Sequence, residues 1–320
     1  MYDVGSPSTR GNEKTVAWII AWLLYACSIG LGSYIKSFAT IQNPLLRLLI
    51  QTLYTGSLGY VLIVVLTGYR SYVSKSTVYK SFAAFLPLWL YSLIACVIEV
   101  KQRSSCELSE DFFPLMNETF GTLTPYVLVA LFGEYINLFV EKLEKALFEK
   151  LLLTMLMLWT IWPTFFGGDM YGQRIGLTTF AYLLGAYIAK YEESMRNMQN
   201  RFTTMAALLC AVLLIGTWLL NIVDGYVTVN VLALVNLTSP AVYLLAFVLV
   251  CLVTDEKVPK MIELCGMTCM GAFWIYGHPA LHGSIKRFVF SFVLGHCVEA
   301  LRMILCGMVK KLYTLRNAMR

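Results

Sequence analysis

The stretch TVAWIIAWLLYACSIGLGSYI, Thr15 to Ile35, runs 21 positions without a charged residue. As a helix rising about 1.5 Å per residue it would reach about 31 Å, the thickness of a bilayer's hydrocarbon core. It is too long for the apolar core of a signal peptide and no small-residue cleavage pattern follows it, so it is expected to stay in the mature chain. Similar runs recur at about 45–69, 80–100, 122–140, 151–166, 176–190, 203–223, 231–253, 261–281 and 287–309. The whole chain matches them. Of its 320 residues, 58% are apolar and only 14% charged, against about 45–50% and about 25% in soluble domains, and the mean hydropathy is +0.67. The expected fold class is all-α: a polytopic membrane helix bundle of about ten transmembrane helices (15–309), with a cytoplasmic tail at 1–14 and a basic cytoplasmic tail at 310–320.

Orientation follows from the basic residues. Assigning alternate loops to opposite sides puts seventeen Lys and Arg on one side, in 10–14, 70–80, 142–150, 190–201, 257–260 and 310–320. Seven lie on the other side and Arg302 falls within a span. Basic loops stay cytoplasmic, so both termini are expected inside. The net charge of +6 is thereby a topology signal, and no nucleic-acid partner is implied. Leu138 to Lys150 reads as an amphipathic extension of the fourth span along the headgroups, with Glu141 and Lys145 paired at i,i+4. The weakest spans are the fifth and sixth, separated by Phe165-Phe166-Gly167-Gly168-Asp169, and the ninth, broken by Gly277 and Pro279.

Eight of the nine cysteines lie in or beside apolar runs and only Cys106 sits in a polar loop. No CxxC or Cys/His spacing offers a zinc site, so free membrane thiols and no metal are expected. Ionisable residues inside spans are the functional candidates, each weighed against structural pairing. Glu134 and Asn137 lie in the fourth span, where Glu134 can also snorkel. Glu299 and Arg302 share one face of the tenth at i,i+3, which suits either a mutual ion pair or a substrate site. His278 stands beside the Gly277–Pro279 break, where a histidine serves either as a general base or as a structural hydrogen-bonding group. His278 and His282 have a metal-compatible spacing, but Pro279 disturbs the helix and no third ligand is near. The loop holding Arg70, Lys75 and Lys80 carries no acid and could receive a phosphorylated cytosolic ligand or simply mark the inside. No phosphate-cradling glycine motif accompanies it.

Several segments together resemble the type-3 membrane acyltransferase family, the bacterial O-acetylase group. Thr67-Gly68-Tyr69 is similar to the Ser-Gly-Tyr or Ser-Gly-Phe ending of an early span in that family. Leu123 to Asn137 follows its Thr-x-Tyr, Leu-rich, Phe-Leu-Asn order, and Leu151 to Phe166 closes on a similar Pro-Thr-Phe stop. Phe180 to Tyr191, FAYLLGAYIAKY, is the nearest match. Gly271 to Pro279 resembles a late aromatic, Gly and His motif, and Glu299 with Arg302 an acidic-x-x-Arg pair. The family's first span carries an Arg and a His, but here Trp18 stands at the first position and Ser28 or Ile29 at the second. In the ninth span Tyr276 aligns with the family's His and His278 comes two positions later. Glu134 stands where Pro is common.

The resemblance implies a multi-pass cell-membrane O-acyltransferase, moving an acyl group, acetyl by analogy, from acyl-CoA to a carbohydrate or lipid-linked glycan acceptor. On that analogy His278 is the candidate base, Tyr276, Glu299 and Arg302 contact substrate, and Arg70 and Lys75 hold the phosphates of acyl-CoA. A catalytically degenerate member, acting as a transporter or scaffold in polysaccharide assembly, is the alternative, because the first-span pair is replaced. The oligomeric state is not specified by the sequence.

Overall fold

The computed structural model describes residues 15–36, 57–75, 97, 123–163, 172–224, 237–253, 293–295, 297–298 and 304. Every extended element among them is a helix. In chain order these are α1 (Thr15–Lys36), α2 (Leu58–Val73), α3 (Leu123–Leu131), α4 (Gly133–Lys142) and α5 (Lys145–Met155). A π-helical segment, Leu156–Ile161, continues α5. After it come α6 (Gln173–Lys190), α7 (Glu192–Arg196), α8 (Gln199–Asp224) and α9 (Pro240–Leu252). The described part is therefore all-α. Among the described residues no helix is long and apolar enough to cross a membrane, the side chains of α1 and α8 being described only in part.

α2 is the axis of the bundle. Leu58 through Leu66 are buried without interruption, the pattern of a helix covered on all sides rather than along one stripe. Small residues let its neighbours close in. A Cβ on Gly68 would overlap the Tyr182 carbonyl, and one on Gly185 would overlap the Val65 carbonyl, so α2 and α6 touch backbone to backbone. Gly59 likewise faces the backbone of Tyr25 and Ala21 in α1.

Paired positions give the helix directions. Tyr60 meets Thr178 and Tyr69 meets Glu192, so α2 and α6 run parallel. Thr67 meets Tyr126 and Ser71 meets Asn137, which makes α3 and α4 parallel to α2. Phe180 packs on Tyr243 at 5.1 Å between ring centroids, and Tyr187 lies in electrostatic range of Cys251, so α9 runs the same way. The segment joining α4 to α6 runs back against them: Phe148 meets Tyr187 edge-on at 5.3 Å, while the Trp159 ring covers Gly176. α2, α3, α4, α6 and α9 thus run parallel, and the α5 segment runs opposite to them.

One expectation fails. Leu138 to Lys150 is not a single helix, because Leu143 and Glu144 are extended, with ψ of 130° and 151°. Glu141 and Lys145 therefore do not share a helical face, and the helix expected from 151 starts at Lys145. The cause is tertiary. Lys190 Nζ donates to the carbonyls of Val140 at 2.7 Å, Glu141 at 3.3 Å and Leu143 at 2.7 Å. One ammonium with three donors thus gathers carbonyls at and just past the end of α4, the Val140 oxygen also accepting from the Leu143 N–H, at the negative end of the helix dipole.

Candidate functional site

Among the described residues, polar contacts between helices gather at the end of the bundle where α2, α4 and α6 finish. Asn137 is buried in α4 and uses both ends of its amide: Nδ2 donates to Ser71 Oγ at 3.1 Å, and Oδ1 accepts from the Tyr182 hydroxyl at 3.2 Å. Gly133 makes this possible, since a Cβ there would press on the Tyr182 hydroxyl at 2.6 Å. One residue from each of three helices is thereby fixed at one point.

Further pairs tie the same helices. Thr67 and Thr178 each donate to a carbonyl four residues back, Ile63 and Arg174. Their hydroxyl protons being engaged, Tyr126 donates to Thr67 at 3.1 Å and Tyr60 to Thr178 at 3.0 Å. Closer to the end, Tyr69 donates to Glu192 at 3.0 Å and Tyr187 to Glu149 at 2.6 Å. Bonds to ionised carboxylates are the stronger kind. Tyr191 lies under two cations, with Lys145 Nζ 5.5 Å and Lys190 Nζ 5.6 Å from its ring centroid, within cation–π range.

Arg70 and Lys75 stand on this end, both exposed. Arg70 is in the last turn of α2, where a cation suits the helix dipole. Lys75 has φ of 47° and turns the chain away from the helix. The loop is not the purely basic surface its own sequence describes. Tyr72 is in electrostatic range of Glu141 and Tyr191, while Tyr69 bonds Glu192, so acids from α4 and α7 border it. Burial first, then Glu141 and Tyr191, push the Tyr72 phenol above its ordinary value, and burial followed by Glu149 does the same for Tyr191. Both phenols are therefore neutral donors near pH 7 and poor bases.

Glu134 is half-buried in the first turn of α4, where an acid suits the positive helix end. Trp18 is partly buried against the core, and the buried Ser28 donates to the Leu24 carbonyl at 2.9 Å. Tyr276, His278, His282, His296, Glu299 and Arg302 lie outside the described residues. Among the described residues no three His, Cys, Asp or Glu side chains converge as a metal site would need. The sequence pointed to neither the tyrosine pairs nor the Lys190 clamp. Tyr, Thr and Asn inside apolar runs have no periodicity that names their partners. No family model matches the chain, and no curated protein or solved structure is significantly similar to it.

Proposed function

We propose that the chain is a multi-pass protein of the cell membrane, with about ten spans and both termini cytoplasmic, that acts as an O-acyltransferase. It moves an acyl group, acetyl by analogy, from acyl-CoA to a carbohydrate or lipid-linked glycan hydroxyl. One observation carries the reading. Three of the stretches that resemble the type-3 acyltransferases pack on one another: Gly68 lies on Tyr182, and Asn137 bonds both Tyr182 and Ser71. Residues quoted for their order along the chain thus meet in one interior.

The outer faces support the membrane part. Val16, Ile20 and Leu23 are exposed on α1, and Met205, Leu208, Val212, Ile215 and Leu219 on α8. The latter recur every three or four residues, so they form one apolar stripe along the helix. Water does not tolerate such a stripe on a monomer, and lipid does. α1 and α8 have 22 and 26 residues, about 33 and 39 Å of helix.

A second reading is favoured by one observation. Ser28, near the position of the family's first-span His, bonds back to its own helix at Leu24 and offers no base. On that reading the protein is a degenerate member serving as a transporter or scaffold in polysaccharide assembly. Incubating membranes that contain the protein with labelled acetyl-CoA and mixed glycan acceptors separates the two. Transfer that falls about 10²- to 10⁴-fold in His278→Ala, with folded yield kept, supports the enzyme and its base. Absence of transfer with every acceptor supports the degenerate reading.

A further inference from the structure

Two neighbouring helices mark the height of the apolar surface on one flank of the bundle. α5 with its π-helical continuation exposes Leu153, Met157, Leu158 and Trp162. Lys150, the last charge of this segment, is exposed one turn before Leu153. Beside it, α6 exposes Arg174 and Ile175 in its first turn and carries its next charge, Lys190, at its end.

The two helices keep a common height. Phe148 meets Tyr187 and Trp159 meets Gly176, eleven positions apart along each chain segment. Trp162 therefore stands level with the first turn of α6, where Arg174 lies, and Lys150 lies within two turns of the level of Lys190.

The apolar band between these marks is low. From Lys150 to Trp162 is twelve residues, about 18 Å at helical rise. From Arg174 to Lys190 is sixteen, about 24 Å. The hydrocarbon core of a typical bilayer is about 30 Å thick. The residues that bracket the band are those that settle at headgroup level: Lys and Arg keep their stems in the apolar layer and their charge among the phosphates, and an exposed Trp sits at the boundary. A cation thus faces the anionic phosphate layer at each end.

α8 is taller. Its apolar ridge runs without a charge from Arg201 to the exposed Leu219, about 27 Å. A long span fits a thin bilayer by tilting, whereas a short one cannot stretch and the bilayer thins to meet it. The short flank therefore sets the preferred thickness.

We propose that the α5–α6 flank is a lipid-contact surface matched to a phospholipid bilayer thinner than average, with a hydrocarbon height of about 18–24 Å where it touches the protein. Its consequence for function is a shorter path between the cytosolic and outer water faces. The inference rests on the membrane reading of the chain and on nothing in the acyl-transfer reading.

The test uses the full chain in liposomes of phosphatidylcholines that run from dimyristoleoyl through dioleoyl to dierucoyl, with thermal unfolding followed in each. The melting temperature should peak in chains shorter than dioleoyl and lie about 3 °C or more lower in dierucoyl. Lys150→Leu and Arg174→Leu each lengthen the apolar band at one end, so each should move the peak toward longer chains, and the double variant further. A peak at dioleoyl or beyond in the parent, a profile flat along the series, or variants that lower the peak without moving it would overturn the proposal. So would cross-linking of two copies specific to Leu153→Cys in dimyristoleoyl liposomes, because a second copy rather than lipid would then cover the face. A chain that alkaline carbonate washes out of every liposome would instead remove the membrane reading itself, and this inference with it.

Discussion

Replacing Gly68 by alanine should separate the two central helices. In α2 the new methyl group would overlap the Tyr182 carbonyl, with Tyr182 C at 2.9 Å and Cα at 3.1 Å. All three atoms are backbone, so no side chain can turn aside. Non-bonded carbons prefer about 3.5–4.0 Å, and a gap of about 0.5–1 Å elsewhere in the interface already forfeits a quarter to a half of each contact. Overpacking of this kind costs about 1–3 kcal/mol, to which the opened α2–α6 interface adds, while alanine returns about 1 kcal/mol of helix propensity. The net expectation is a loss of about 2–3 kcal/mol.

Gly185 offers an internal check from the other helix. A Cβ there would overlap the Val65 carbonyl and stand 2.7 Å from Tyr69 N, so Gly185→Ala should cost a similar amount. The double variant should cost clearly less than the sum, because the first methyl group has already moved the helices apart. Equilibrium unfolding of the purified proteins in detergent measures all three. A melting temperature for Gly68→Ala equal to or above the parent's, as propensity alone would give, refutes the backbone contact. Strict additivity refutes the shared displacement.

Lys190→Met should destabilise by about 2–3 kcal/mol, because the carbonyls of Val140, Glu141 and Leu143 lose a charged donor; faster protease cutting at Leu143–Glu144 would locate the loss. Tyr72 and Tyr191 hold their protons more tightly folded than unfolded, so their contribution is fully present below about pH 10 and is lost as pH rises through the raised folded values. An unfolding titration should show that decline, and it should flatten in Tyr72→Phe and Tyr191→Phe; a decline unchanged in both removes these phenols as its source. Arg70→Ala and Lys75→Ala should each weaken acyl-CoA binding by about fivefold at low salt, and less at high salt, as befits exposed charges. Salt-independent or unchanged binding would reduce the loop to a topology signal. A reporter fused after Arg320 should read as cytoplasmic, and the opposite signal would break the span count.

Where the chain is apolar, helix positions were legible; where it bends, they were not. The run 15–35 and the helix Thr15–Lys36 agree because an uncharged stretch of 21 residues without proline has nothing in it to stop a helix once one has started. The extended pair Leu143–Glu144 was hidden for the opposite reason. Its local pattern favours helix, and the residue that rewards the break, Lys190, is 47 positions further on. The contact of Gly68 with Tyr182 is equally silent in sequence, since a glycine in an apolar run does not say which helix approaches it. Arg70 and Lys75 could be named from charge alone, but the acids beside them come from other helices.

The two ends of the bundle differ in how far their buried polar groups are bonded. At one end every described polar group of the Ser71–Asn137–Tyr182 set and of the Lys190 clamp is bonded within the chain, which fixes helix spacing and register. At the other, the chain buries three polar atoms and bonds none of them. Desolvation costs of this kind are local departures from an otherwise consistent sequence, and such departures concentrate at functional sites. The stabilising end can therefore tolerate no exchange of partners. The three unbonded atoms add nothing to register, so an apolar replacement that keeps the shape, such as Tyr243→Phe, should raise the melting temperature rather than lower it, and a lower one would show that the hydroxyl has a partner.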